Sequence, residues 1–199
     1  MKYRLKSCIF MLLAISLLLA NAKSSYANEA ALVAKCDAGN MVTCEDLVKL
    51  YAAGGAGDNP VKWATYADKA CNLKSGGACN NLGVAWSKGM IGAQIDLAKG
   101  SAYYKKACDL SHGLGCFNSG NMYRLGEGVA ADLKLAFENF NKACDLAEAK
   151  GCTELGIMYY EGRVAPQNIL MTKTLFEKGC KLGSTQACKN LDILLGRPK

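Results

Sequence analysis

The chain has 199 residues, with 24 Lys and Arg against 17 Asp and Glu and a formal charge of +7. The basic excess is scattered, with no basic run or basic–aromatic stripe, so the composition argues against a nucleic-acid partner. There are 11 cysteines and a single histidine, His112, a balance that sets a disulfide framework above a zinc site.

The N-terminus reads as a targeting segment. Lys2, Arg4 and Lys6 form a basic region, and a mostly apolar run of 13 residues follows from Cys8 to Ala20. Ala20-Asn21-Ala22 fits a small-x-small cleavage site, and Ser25 with Ala27 offers a second. Residues 1–22 are therefore expected to be a signal peptide, and residues 23–199 a single exported unit, secreted or periplasmic. Cys8 leaves with the signal. Removing three basic residues leaves 21 against 17, or +4. The apolar run is too short to span a bilayer comfortably, and no second one follows, so no membrane insertion is expected after cleavage.

Ten cysteines remain, and they fall into one repeated frame. Cys36 and Cys44, Cys71 and Cys79, Cys108 and Cys116, Cys144 and Cys152, and Cys180 and Cys188 each have seven residues between them. The first cysteines follow one another at steps of 35, 37, 36 and 36 residues (71−36, 108−71, 144−108, 180−144). So even a recurrence predicts an all-α right-handed solenoid built from one helix-pair unit. Each unit carries its own pair, so pairing within the repeat is the simplest disulfide pattern. Seven intervening residues exceed the usual zinc spacing, and Cys-x-x-Cys is absent, so no metal and no cofactor are expected.

The elements repeat in the same order along the chain. Four residues before the first cysteines stand Leu32, Ala67, Tyr104, Phe140 and Phe176. One residue before them stand Ala70, Ala107, Ala143 and Gly179, with Lys35 as the exception. These offsets put an apolar stripe on a helix ending near the cysteine. Three residues after the second cysteines stand Leu47, Leu82, Ser119, Leu155 and Leu191, and seven after them Tyr51, Trp86, Tyr123, Tyr159 and Leu195. That is one face of a second helix, with the aromatics expected in the core. Gly54, Gly89, Gly126 and Gly162 then close it as left-handed caps. Asp58, Asp96, Asp132 and Asn168 suit the N-cap of the next helix. The first and last units depart from the pattern, as the terminal units of a solenoid do.

The segment from Ala136 to Gly162, with Ala143 before Cys144 and then Leu155-Gly156, Tyr159 and Gly162, resembles the SEL-one-like repeat, a relative of the tetratricopeptide repeat. With cysteines at two fixed places in every repeat, the chain is similar to the Helicobacter cysteine-rich proteins. The resemblance implies intra-repeat disulfides and a concave binding face. It also implies, for some members, penicillin binding with weak β-lactamase activity. The residues themselves carry no such motif. No serine has a lysine three positions on, and Lys173-Thr174-Leu175 lacks the glycine of Lys-Thr-Gly. The expected function is a monomeric binding module for a peptide, a protein or a cell-wall fragment, with β-lactams a further ligand class; the alternative is a weak β-lactamase without a recognisable serine or zinc motif. The candidate ligand residues are Lys106 and Lys142, bordering the groove, and Asn80, Asn118 and Asn139.

Overall fold

A computed structural model describes residues 28–52, 59–90 and 94–197. The expected signal peptide, both cleavage points, Gly54 and Asp58 lie outside the described residues. Those described form ten helices and no strand. They are α1 (28–37), α2 (Met41–Tyr51), α3 (Pro60–Asn72), α4 (Gly76–Lys88), α5 (Leu97–Asp109), α6 (Gly113–Leu125), α7 (Leu133–Asp145), α8 (Ala149–Glu161), α9 (Ile169–Lys181) and α10 (Thr185–Leu194). Each helix packs on the next, which makes a solenoid.

Short polar side chains start the helices. Asp96, Asp132 and Asn168 cap α5, α7 and α9 as their sequence positions foretell. The cap of α3 is Asn59 rather than Asp58, because Pro60 at the first helical position fixes the start one residue later. Asn40, Ser75, His112, Glu148 and Ser184 cap the even-numbered helices in the same way. Gly89, Gly126 and Gly162 close α4, α6 and α8 with φ of 66°, 72° and 70°. The odd-numbered helices end differently, on a left-handed residue three after the first cysteine: Gly39, Lys74, Ser111, Ala147 and Gly183. The next N–H reaches back five residues, as in Ser75 to the Ala70 carbonyl and Glu148 to the Ala143 carbonyl, each at 2.9 Å.

All five pairs are closed as disulfides within the repeat, with Cα–Cα separations of 4.3–4.8 Å. So close a crossing needs small residues beside the cysteines. A Cβ on Gly115 would come within 2.4 Å of the Ala107 methyl, and one on Gly151 within 2.5 Å of the Ala143 methyl.

Neighbouring hairpins stack through a second small-for-large match. Gly83, Gly120 and Gly156 on the even helices face the rings of Tyr104, Phe140 and Phe176 on the odd helices that follow. In the first unit the sizes are exchanged: the same two positions hold Val48 and Ala67, both buried. In the last unit the glycine position holds Asp192, whose carboxylate pairs with Arg197. Tyr51 is buried as expected, whereas Trp86, Tyr123 and Tyr159 are only half-buried and flank the core. The aromatic position lies near the end of its helix. Lys99 covers Trp86 at 4.3 Å from the ring centre.

The solenoid curves toward its even-numbered helices. The backbones of α4 and α6, α6 and α8, and α8 and α10 approach one another directly, while alternate odd-numbered helices from α3 onward approach far less. The even row is therefore the inner face.

Candidate functional site

Inner-face residues fall at fixed offsets from the second cysteine. Two positions on stand Asn118 on α6, Glu154 on α8 and Asn190 on α10. Five on stand Asn121, Ile157 and Ile193. Between α8 and α10 these side chains frame a groove of about 630 Å³, walled by Ile157, Tyr160, Phe176, Ile193 and Leu194 and edged by Glu154, Gln186 and Asn190. A smaller groove of about 170 Å³ continues from it toward α6, lined by Arg124, Leu133, Met158, Glu161 and Arg163, with Glu154 and Ile157 shared by both. The larger volume lies in the range of ordinary ligand pockets, about 300–1,000 Å³.

Glu154 is the titratable group at the junction of the two grooves. Burial pushes its carboxyl above the ordinary carboxylate range; Arg124 partly offsets this and Glu161 adds to it. Among the described residues Glu154 has no hydrogen bond and no ion pair. The nearby cations are engaged elsewhere. The Arg124 guanidinium donates to Asn121 Oδ1 at 3.1 Å, Arg163 pairs with Glu161 at 2.9 Å, and the Lys150 ammonium lies 5.7 Å from the centre of the Phe117 ring. Neither groove is lined by a serine, a cysteine or a histidine. The lining can thus bind and orient, through apolar walls, amides, the carboxylates of Glu154 and Glu161 and the guanidiniums of Arg124 and Arg163.

The structure divides the candidate ligand residues between the two faces. Asn80 and Asn118 come together, the Asn118 amide donating to Asn80 Oδ1 at 2.9 Å and bridging α4 to α6. Asn80 is almost fully buried, so its amide serves this bridge, while Asn118 stays half-exposed on the inner face. Lys106, Lys142 and Asn139 lie on α5 and α7. Lys106 and Lys142, expected to border the groove, ride on the helices before the first cysteine, whereas the inner row is built by the helices after the second. Lys106 reaches across the outer side to Asn72 Oδ1 at 2.7 Å, and Asn139 donates to the Leu135 carbonyl at 2.8 Å. Glu154, Tyr160 and Gln186 were missed by the sequence reading. A signal existed, since Glu154 and Asn190 occupy the same repeat offset as Asn118. Among the described residues no three His, Cys, Asp or Glu side chains gather as metal ligands.

The fold and this face define an αα-solenoid whose hairpins are each locked by a disulfide. The Sel1 repeat family matches residues 77–112, 113–148 and 149–184, more than half of the chain, and the protein belongs to that family. Its fold is shared with a Sel1 repeat protein from Oxalobacter formigenes, at TM-score 0.73 and 21% identity over 81% of this chain and 66% of that one. A protective antigen of uropathogenic Escherichia coli with an SLR fold overlays at TM-score 0.74 and 20% identity, covering 82% of this chain and 35% of that one. Helicobacter pylori cysteine rich protein B is 35% identical, at TM-score 0.55, over 66% of this chain and 94% of its own. No curated protein matches the chain.

Proposed function

We propose that this is an exported binding module that takes an extended peptide segment along its inner face, centred on the groove between α8 and α10. The observation that carries the reading is the groove itself: an apolar trough of about 630 Å³ edged by the amides of Gln186 and Asn190. Side-chain amides offer a donor and an acceptor together, which matches the backbone of an extended chain. In a solenoid the stacking positions are consumed by neighbouring repeats, so recognition uses the exposed positions of one face. Five disulfides and the basic, apolar N-terminus support export, with residues 1–22 as the signal peptide and 23–199 as the working unit. Among the described helices none is long and apolar enough to cross a membrane. The similarity to a cysteine rich Helicobacter protein favours the same compartment. Without a nucleophile in the lining, the reading is binding rather than β-lactam hydrolysis.

The test is a display selection of peptides on the oxidised protein, followed by affinity measurements on two sets of variants. Tyr160→Ala and Asn190→Ala should weaken the selected peptides by about tenfold, equivalent to ~1.4 kcal/mol. Lys106→Glu with Lys142→Glu should leave them unchanged. The opposite pattern would move recognition to the outer row.

A further inference from the structure

We infer that the inner groove selects a peptide with a basic side chain, lysine or arginine, whose charged end is received by Glu154. The inference rests on the peptide-binding reading above and deepens it. A half-buried carboxylate at the edge of an apolar trough carries a desolvation cost that the folded chain compensates only in part, with no hydrogen bond or ion pair to it among the described residues. Arg124 offsets part of that cost through space while its guanidinium bonds Asn121, and Arg163 is paired with Glu161, so neither forms an ion pair with Glu154. A ligand cation would supply the missing charge, and a charge-assisted hydrogen bond of this kind is about twice as strong as a neutral one.

The walls fit the rest of such a side chain. Lysine and arginine carry a long apolar stem below the charge, which lies favourably along apolar surface. Ile157, Ile193 and Leu194 supply that surface, with the faces of Tyr160 and Phe176 beside them. Aromatic faces also attract cations. A neutral apolar residue would fill the trough but leave the carboxylate bare, and an acidic one would add a like charge.

The repeat spacing sets where the flanking contacts fall. Packed helices stand about 8–10 Å apart and an extended chain rises about 3.3–3.6 Å per residue. One step along the inner face therefore spans about two to three residues. Asn118 and Asn190 stand one step either side of Glu154 at the same helix offset. The selected sequence is thus a basic residue with backbone amides engaged about two to three residues before and after it.

The experiment uses the full oxidised chain and two capped nonapeptides of alternating alanine and serine, one with lysine at the centre and one with norleucine. Binding is followed by the methyl shifts of Ile157 and Ile193. The lysine peptide should bind about tenfold tighter than the norleucine peptide, and Glu154→Gln should shrink that ratio to about one. The norleucine arm needs no protein variant, so a folding defect in Glu154→Gln cannot mask the answer. Equal binding of both peptides to the unaltered protein would overturn the basic preference while keeping peptide binding. If neither peptide moves the two methyls at millimolar concentration, the inner-face reading itself fails. Methyl shifts that grow with protein concentration in the absence of peptide would assign the groove to a second copy of this chain, which also overturns the inference.

Discussion

A Cβ added to Gly120 would lie 2.7 Å from both Cδ1 and Cε1 of Phe140, a ring with no exposed surface. The ring cannot retreat, because the Phe117 ring stands 6.0 Å away on one side and Cys144 and Cys152 belong to the same buried cluster. Gly120→Ala gains about 1 kcal/mol of helix propensity but overpacks the junction by about 1–3 kcal/mol. The melting temperature should fall, and Phe140→Leu in the same chain should restore part of it. Thermal melts of the two variants check this, and a rise for Gly120→Ala alone would show that the junction has slack.

The disulfides should separate into two classes by burial. Cys144 and Cys152 are buried, whereas Cys180 and Cys188 are each partly exposed. Mild reductant should therefore open Cys180–Cys188 before Cys144–Cys152, as read by timed alkylation and peptide mass. Closing a loop of this size contributes about 2–3 kcal/mol in the chain-entropy description. Replacing Cys144 and Cys152 together by Ala should cost about 2–4 kcal/mol once the lost packing is included.

Ala147 holds a left-handed conformation with φ of +59° at the end of α7. That conformation costs an L-residue about 1–2 kcal/mol, against about 0.5–1 kcal/mol for the extra chain freedom of glycine. Ala147→Gly should stabilise by about 0.5–1 kcal/mol, or roughly 1–4 °C in melting temperature. The mirror experiment is Gly183→Ala, at φ +96° with nothing within 4 Å of the new methyl, which should lower stability for backbone reasons alone.

His112 makes stability fall toward acid pH. Its Nδ1 accepts the Gly115 N–H at 3.2 Å, so the folded state needs that nitrogen bare. Burial holds the imidazole below its ordinary value of 6.5, and Glu148 opposes the shift in part. An unfolded His112 takes its proton near 6.5 and the folded one only at lower pH, so in that window the unfolded chain binds more protons. Stability should therefore drop as pH falls below about 6.5 and level off once the folded group is charged. His112→Asn keeps a capping acceptor and should remove this component. Glu154 acts in the opposite sense at lower pH, because its raised carboxyl favours the folded state as it takes up a proton. Denaturant midpoints of wild type and His112→Asn across pH isolate the histidine.

Much of the architecture was legible because it is periodic. Residue offsets from the paired cysteines placed the two helices of each unit, the buried small residues beside Cys108 and Cys144, and the left-handed caps at Gly89, Gly126 and Gly162. What stayed hidden depends on distances between units. Which helix row faces inward follows from the spacing of alternate helices, and no single helix records that, so the offsets of Lys106 and Lys142 do not tell which side carries them. Glu154 is hidden in the sequence because a glutamate on a helix ordinarily sits in solvent, whereas here it shares a groove with Ile193 and Leu194 of the next hairpin. Asn59 displaced Asp58 because proline at the next position outweighs the choice between two adequate caps.

The match of glycine to ring joins an even helix to the odd helix that follows it, and both partners lie inside one stretch of chain, as Gly120 and Phe140 do within residues 113–148. Cutting out that stretch would join His112 to Ala149 and leave Cys108 and Cys152 separated by 8, the same interval as in every native pair. Gly83 would keep Tyr104, and Gly156 would keep Phe176. A gene can therefore lengthen or shorten this protein by one such stretch in a single event, with every lock closing in the daughter chain and only the reach of the inner face altered.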